Sequence, residues 1–149
     1  MDPPSELDSL TALGQTVRHP LEHLECFKAP THVSSVRLRS DEVVSVCPVT
    51  EQPDISSVVI EYEPDEWCIE SKSLKLYLWS FRDRRVFCEA LAAEIAGEVV
   101  RAADPHRVTV RLTQQPRGGI TIEATASRSK PSSTSHDRDD SNSPPTGHA

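Results

Sequence analysis

At Asp104-Pro105 the apolar repeat of the chain changes from helical to alternating, and that change limits most of what it can fold into. Upstream, Phe87, Leu91, Ile95 and Val99 recur at helical spacing, forming one buried stripe. The helix they define is expected to start from a cap at Asp83 and to run to about Ala103. A proline disfavours helical geometry in the residue before it, so the helix stops there. Downstream, Val108, Val110 and Leu112 alternate with Thr109, Arg111 and Thr113, and Ile120, Ile122 and Ala124 alternate with Thr121, Glu123 and Thr125. The turn Gln114-Gln115-Pro116-Arg117-Gly118-Gly119 reverses the chain between them. Two alternating segments joined this way make an antiparallel hairpin with one wet and one buried face.

The first half supplies matching parts. Residues 32–40 alternate loosely through Val33, Val36 and Leu38, which predicts a strand. Residues 47–54 hold Pro48 and Pro53 and read as a rigid loop. Residues 57–63 place Val58, Ile60 and Tyr62 on one strand face, and Pro64-Asp65-Glu66 turns the chain. Residues 70–79 carry Leu74, Tyr77 and Leu78 at helical spacing, with Ser71 as the expected N-cap. The order strand–strand, helix–helix, strand–strand predicts an α+β domain with an antiparallel sheet and two helices on one of its faces.

Composition sets the limits of that domain. Between Ser127 and Ala149 the only apolar side chain is Ala149, so residues 127–149 are expected to be a disordered tail. Residues 1–15 read as a flexible segment, which leaves 16–126 as the folded domain. A core that small gains from oligomer formation. The net charge of −7 argues against a nucleic-acid partner. With no apolar run near the ~18 residues of a membrane span and no signal-peptide pattern, a cytoplasmic chain without a membrane partner is expected. The four cysteines, at 26, 47, 68 and 88, form no C-x-x-C pair, so neither a metal site nor a disulfide framework is expected. His19 and His23 are separated by Pro20 and make a poor helical metal pair.

Cys47 lies at the end of a strand, before a proline-stiffened loop, with Asp54 seven residues on. A nucleophilic cysteine needs a fixed approach and a route for its proton; the prolines can give the first, and Asp54 or another group the second. The plainer reading is a structural cysteine beside a turn-capping aspartate. Lys72 and Lys75 share one helical face near a positive helix N-terminus, an arrangement that can hold phosphates or be an ordinary solvated face. Arg117 sits on a glycine turn, and Glu89 on the first turn of the second helix can be a ligand for a purine-like ring or a favourable dipole residue.

Taken together, CPVTEQPD (Cys47 to Asp54), ESKSLKLY (Glu70 to Tyr77) and PRGGI (Pro116 to Ile120) resemble the NADPH-dependent 7-cyano-7-deazaguanine reductases of queuosine biosynthesis, in their short single-domain form. The resemblance implies a tunnelling fold (T-fold), whose ββααββ order agrees with the reading above. It also implies a homo-oligomer of two stacked pentamers with active sites at subunit interfaces. Cys47 would attack the nitrile carbon to give a thioimidate, and Asp54 would move the proton. Glu89 would anchor the deazaguanine edge, with Glu70, Ser71 and Cys88 bordering the substrate. Lys72, Lys75 and Arg117 would hold NADPH. One position departs from the pattern: the family commonly has histidine where this chain has Cys88. A thiol, with an ordinary pKa of about 8.5 against about 6.5 for imidazole, is a poor substitute in proton transfer.

Three rival readings compete with this one. A cyclohydrolase of the same fold needs a zinc site that the cysteine and histidine spacing does not supply. A non-reducing relative that transfers an amine to the thioimidate is expected to lack the lysine helix, which is complete here. A non-catalytic binding module would show a change at Cys47 or Asp54, and both are present.

Overall fold

The computed structural model describes residues 10–12 and 16–132. In chain order its elements are β1 (Cys26–Lys28), β2 (Val36–Val46), β3 (Pro53–Glu63), β4 (Trp67–Ile69), α1 (Ser71–Trp79), α2 (Cys88–Ala103), β5 (Arg107–Arg117) and β6 (Ile120–Ser129). The four long strands form one antiparallel sheet in the order β2-β3-β5-β6. Val58, Ile60 and Tyr62 of β3 and Val108, Val110 and Leu112 of β5 are all buried, as period-two alternation requires. They pack with Leu91, Ile95 and Val99 of α2 and Leu74, Tyr77 and Leu78 of α1 in one core. Helix α2 lies over β5 and β6, and α1 lies beside β2. The expected α+β architecture with two helices on one face of an antiparallel sheet is the one observed.

Two bulges set the register of this sheet. On β2, Asp41 and Glu42 fall between the pairs Ser40↔Val58 and Val43↔Ser56, so two residues oppose Ser57 alone. On β5, Gln115 and Pro116 fall between Gln114↔Ile122 and Arg117↔Ile120, so two residues oppose Thr121 alone. Each extra residue keeps the flanking side chains on the core face.

Several local expectations are corrected. Strand β3 begins at Pro53 rather than Ser57, because a proline is tolerated as the first residue of a strand. The cap of α1 is Glu70, not Ser71: its carboxylate accepts from Lys72 N and Ser73 N, each at 2.8 Å. Helix α2 starts at Cys88 and not near Asp83, since the preceding segment is bonded to β2 through Val46 N to Arg84 O (2.9 Å) and Val86 N to Val46 O (3.3 Å). Phe87 takes the cap position, leaves the apolar stripe and is 56 % exposed. The short β1–β4 ribbon was not expected, because three-residue strands are too short to show alternation. Strand β6 runs to Ser129, beyond the expected domain end at Ala126, because Lys130 fastens it: its backbone N–H reaches His106 O, and its ammonium lies 2.9 Å from both Asp65 and Asp104. Residues 133–149 of the expected tail and residues 1–9 and 13–15 of the N-terminal segment lie outside the described residues.

Candidate active site

Beyond Val46 the chain enters a tight turn. Cys47 N donates to Gln52 O (2.9 Å) and Glu51 N to Cys47 O (3.0 Å), with Glu51 at a φ of 60°. Strand alternation carries Cys47 to the same face as Ser45, whose cross-strand partner is Asp54. The turn is also held from the side, by the Val46 bonds to Arg84 and Val86 and by an ion pair between Glu51 and Arg85. Cys47 is only 6 % exposed, and Thr50 N points at its sulfur from 3.5 Å. The Thr50 hydroxyl, followed by the backbone N–H groups of Thr50 and Val49, favours the thiolate. These bonds outweigh burial and the nearby Asp54 charge, and they hold the thiol below its ordinary pKa. This is how a nucleophilic cysteine is prepared.

Asp54 is 3 % exposed, the second residue of β3. Its Oδ1 accepts from Arg117 Nη1 at 2.7 Å, and Arg117 Nη2 donates to Gln114 Oε1 at 2.9 Å. Arg117, expected at the cofactor, is therefore placed on the Asp54 carboxylate. Cys88, the first residue of α2, is buried with its sulfur 3.9 Å from Leu112 O. Burial, then the Glu89 charge, pushes the Cys88 thiol up, in the opposite sense to Cys47. Glu89 follows on the first turn of α2 and is exposed. Because Val46 pairs with Arg85, the Cys47 turn and the start of α2 are neighbours.

Glu70, Ser71, Lys72 and Lys75 form a second group. Glu70, Ser71 and Lys72 stand at the N-terminal end of α1 and Lys75 midway along it, whereas the segment bonded to Val46 follows its C-terminal end. The nine-residue helix between Glu70 and that segment is about 13 Å long. The buried Glu70 carboxylate is occupied in capping. Lys72 and Lys75 diverge. Lys72 Nζ donates to Ala12 O at 2.6 Å. Lys75 opens onto a groove of about 870 Å³ between α1 and the β2 bulge, shared with Ser71, Trp79, Arg82 and Arg39.

Two residues of this region had escaped the sequence reading. Thr50 was signalled only by its place three residues after Cys47, the distance of one tight turn. Gln114 carried no signal, because its role depends on a bulge that alternation does not reveal.

Residues 53–133 match the family model described as QueF-like protein. The chain is 41 % identical over 114 residues to the NADPH-dependent 7-cyano-7-deazaguanine reductase of Alkalilimnicola ehrlichii, covering 75 % of this chain and 88 % of that one. It is 40 % identical over 131 residues to the protein of the same name from Syntrophus aciditrophicus, covering 87 % and 93 %. Among solved structures it is similar to the archaeosine synthase QueF-Like in its apo form, with a TM-score of 0.61, 30 % identity, and coverage of 67 % of this chain and 95 % of that one.

Proposed function

Because the chain belongs to the QueF-like protein family, and the curated relatives it spans almost end to end are NADPH-dependent 7-cyano-7-deazaguanine reductases, we propose that it reduces the nitrile of 7-cyano-7-deazaguanine to the aminomethyl group, a step of queuosine biosynthesis. The observation that carries this reading is Cys47, a cysteine with a depressed pKa on the same sheet face as Asp54.

The chemistry follows from the residue types. The Cys47 sulfur bonds to the nitrile carbon, one C–N π bond opens, and the nitrogen takes a proton, giving a thioimidate. Asp54 receives the thiol proton and passes one to that nitrogen. NADPH, when bound, supplies hydride to the carbon, once to the thioimidate and once to the imine left after Cys47 departs. Cys88, buried and raised in pKa, stays a thiol, so proton delivery falls to Asp54. Glu89 offers an exposed carboxylate to the N–H edge of the deazapurine. The groove beside α1 is the candidate place for the dinucleotide: Lys75 and Arg82 present cations to phosphates and the part-exposed Trp79 a flat apolar face, while Arg39 is paired with Asp41 on the opposite wall. Lys72 stands at the same end of α1.

The place of Glu70 and Ser71 at the end of α1 remote from the segment bonded to Val46 supports a site completed by a second copy, with Glu70 and Ser71 bordering the substrate of the neighbouring subunit. Strands β2 and β6 are the sheet edges, and a barrel of copies would close both, as in two stacked pentamers. No described helix is long and apolar enough to cross a membrane, which accords with a cytoplasmic enzyme. The likeness to an archaeosine synthase raises a non-reducing alternative, in which an amine is transferred to the thioimidate. The lysine-bearing helix and the relatives named as reductases favour reduction. A spectrophotometric assay separates the two: reduction consumes two NADPH per nitrile, and absence of NADPH oxidation with 7-cyano-7-deazaguanine sinks the assignment.

A further inference from the structure

The Asp54–Arg117 pair is built from an unusual place in the sheet. Arg117 lies three residues after Gln114, and in a regular strand residues three apart point to opposite faces. The two-for-one bulge at Gln115 and Pro116 cancels that inversion, so both side chains stand on the face that carries Asp54. Gln114 is 2 % exposed and lies across from the buried Ser56, two residues along β3 from Asp54. Its amide oxygen takes one terminal nitrogen of the guanidinium, and the other is thereby aimed at Asp54 Oδ1. The fork is rigid and planar, so fixing one prong fixes the other. Among the described residues the guanidinium engages Asp54 through Oδ1, and no hydrogen bond reaches Oδ2.

We propose that Gln114 is a positioning residue for the proton step: it holds Arg117 on Oδ1 of Asp54, which leaves Oδ2 as the oxygen that exchanges protons with the Cys47 thiol and the nitrile nitrogen. The proposal rests on the nitrile-reductase reading of the site. Nothing is consumed in the step. The thiol proton moves to Oδ2, the S–C bond forms, and the nitrile nitrogen takes a proton from Oδ2 as its π bond opens. The guanidinium keeps its charge throughout. Gln114 touches neither substrate nor cofactor and acts only through Arg117.

The test follows thioimidate formation by intact-protein mass spectrometry, using 7-cyano-7-deazaguanine without NADPH, across a pH series. Gln114→Met keeps the length of the side chain and loses its acceptor. It should slow adduct formation about tenfold and alter the pH profile, with the final adduct mass and far-UV circular dichroism unchanged. Gln114→Glu, which restores an acceptor at the same reach, should recover most of the rate. In an Arg117→Ala background, Gln114→Met should cause no further slowing, because the two act as a unit. A wild-type rate and pH profile in Gln114→Met, or an independent slowing in the double variant, overturns the proposal. Arg117→Lys gives a second reading that does not disturb the buried amide: it keeps the charge but not the fork, so slowing of similar size supports the proposal and a wild-type rate overturns it. A wild-type protein that forms no adduct, or an adduct that survives Cys47→Ala, overturns the reading of the site as well. Normal adduct formation in all these variants overturns the role of Gln114 alone.

Discussion

Thr50 N stands 3.5 Å from Cys47 Sγ, and the Thr50 hydroxyl, which accepts from Gln52 N at 3.4 Å, adds the larger share of thiolate stabilisation. Thr50→Val removes the hydroxyl and keeps the backbone N–H. The Cys47 pKa should rise toward the ordinary thiol value, so less thiolate is present at neutral pH. Alkylation of Cys47 by iodoacetamide should slow about threefold there, and its pH midpoint should move upward. An unmoved midpoint would show that the backbone donors alone set the thiol.

The groove beside α1 predicts a split in kinetic constants. Lys75→Ala should raise the KM for NADPH about tenfold, or ~1.4 kcal/mol, while adduct formation without NADPH proceeds at the wild-type rate. An unchanged KM would make Lys75 an ordinary solvated lysine.

The capping geometry of α1 distinguishes neighbours that sequence alone does not. Glu70→Ala should cost about 1 kcal/mol, because two helix N–H groups lose their acceptor, whereas Ser71→Ala should stay within about 0.5 kcal/mol. Thermal denaturation of both variants checks this, and equal losses would remove Glu70 from the cap.

Glu98 predicts an acid limb of stability. Burial raises its pKa, but Arg101 and the Leu24 N–H bond at 2.8 Å outweigh burial and leave it lowered. A carboxyl lowered on folding stabilises the protein above its unfolded value of 4.5, and that stability is lost as pH falls through the lower folded value. Glu98→Gln should cost about 1–2 kcal/mol near neutrality and flatten the stability profile below about pH 4.5, measured by urea unfolding. A profile with wild-type slope would assign the acid limb to other carboxylates.

Alternation and helical repeat made β3, β5, β6 and the stripe of α2 readable, because each depends on which side chains reach water. The limits of α2 were not, since its start is set by bonds from Val46 to Arg84 and Val86, residues nearly forty positions apart in sequence. For the same reason Ser71 seemed the better cap: a preference by residue type cannot foresee that the Glu70 carboxylate reaches two N–H groups at once. At the site, Cys47 and Asp54 were recognisable from their string, and the strand pairing puts them on one face. The partner of Asp54 was not recognisable. Arg117 looked like a free cation on a glycine turn, and only the bulge turns it inward.

That bulge makes the late hairpin sensitive to counting rather than to chemistry. Exchanging Gln115 for another polar residue leaves the frame of the strand intact. Inserting one further residue beside Gln115 or Pro116, with the bulge kept, would rotate everything beyond by half a repeat, sending the Arg117 side chain to the opposite face of the sheet. Asp54 would then lose its guanidinium although no residue touching it had been altered. Length between Gln114 and Arg117 is thus a heritable trait of the site, and a one-residue insertion there would silence it as surely as a substitution at Asp54.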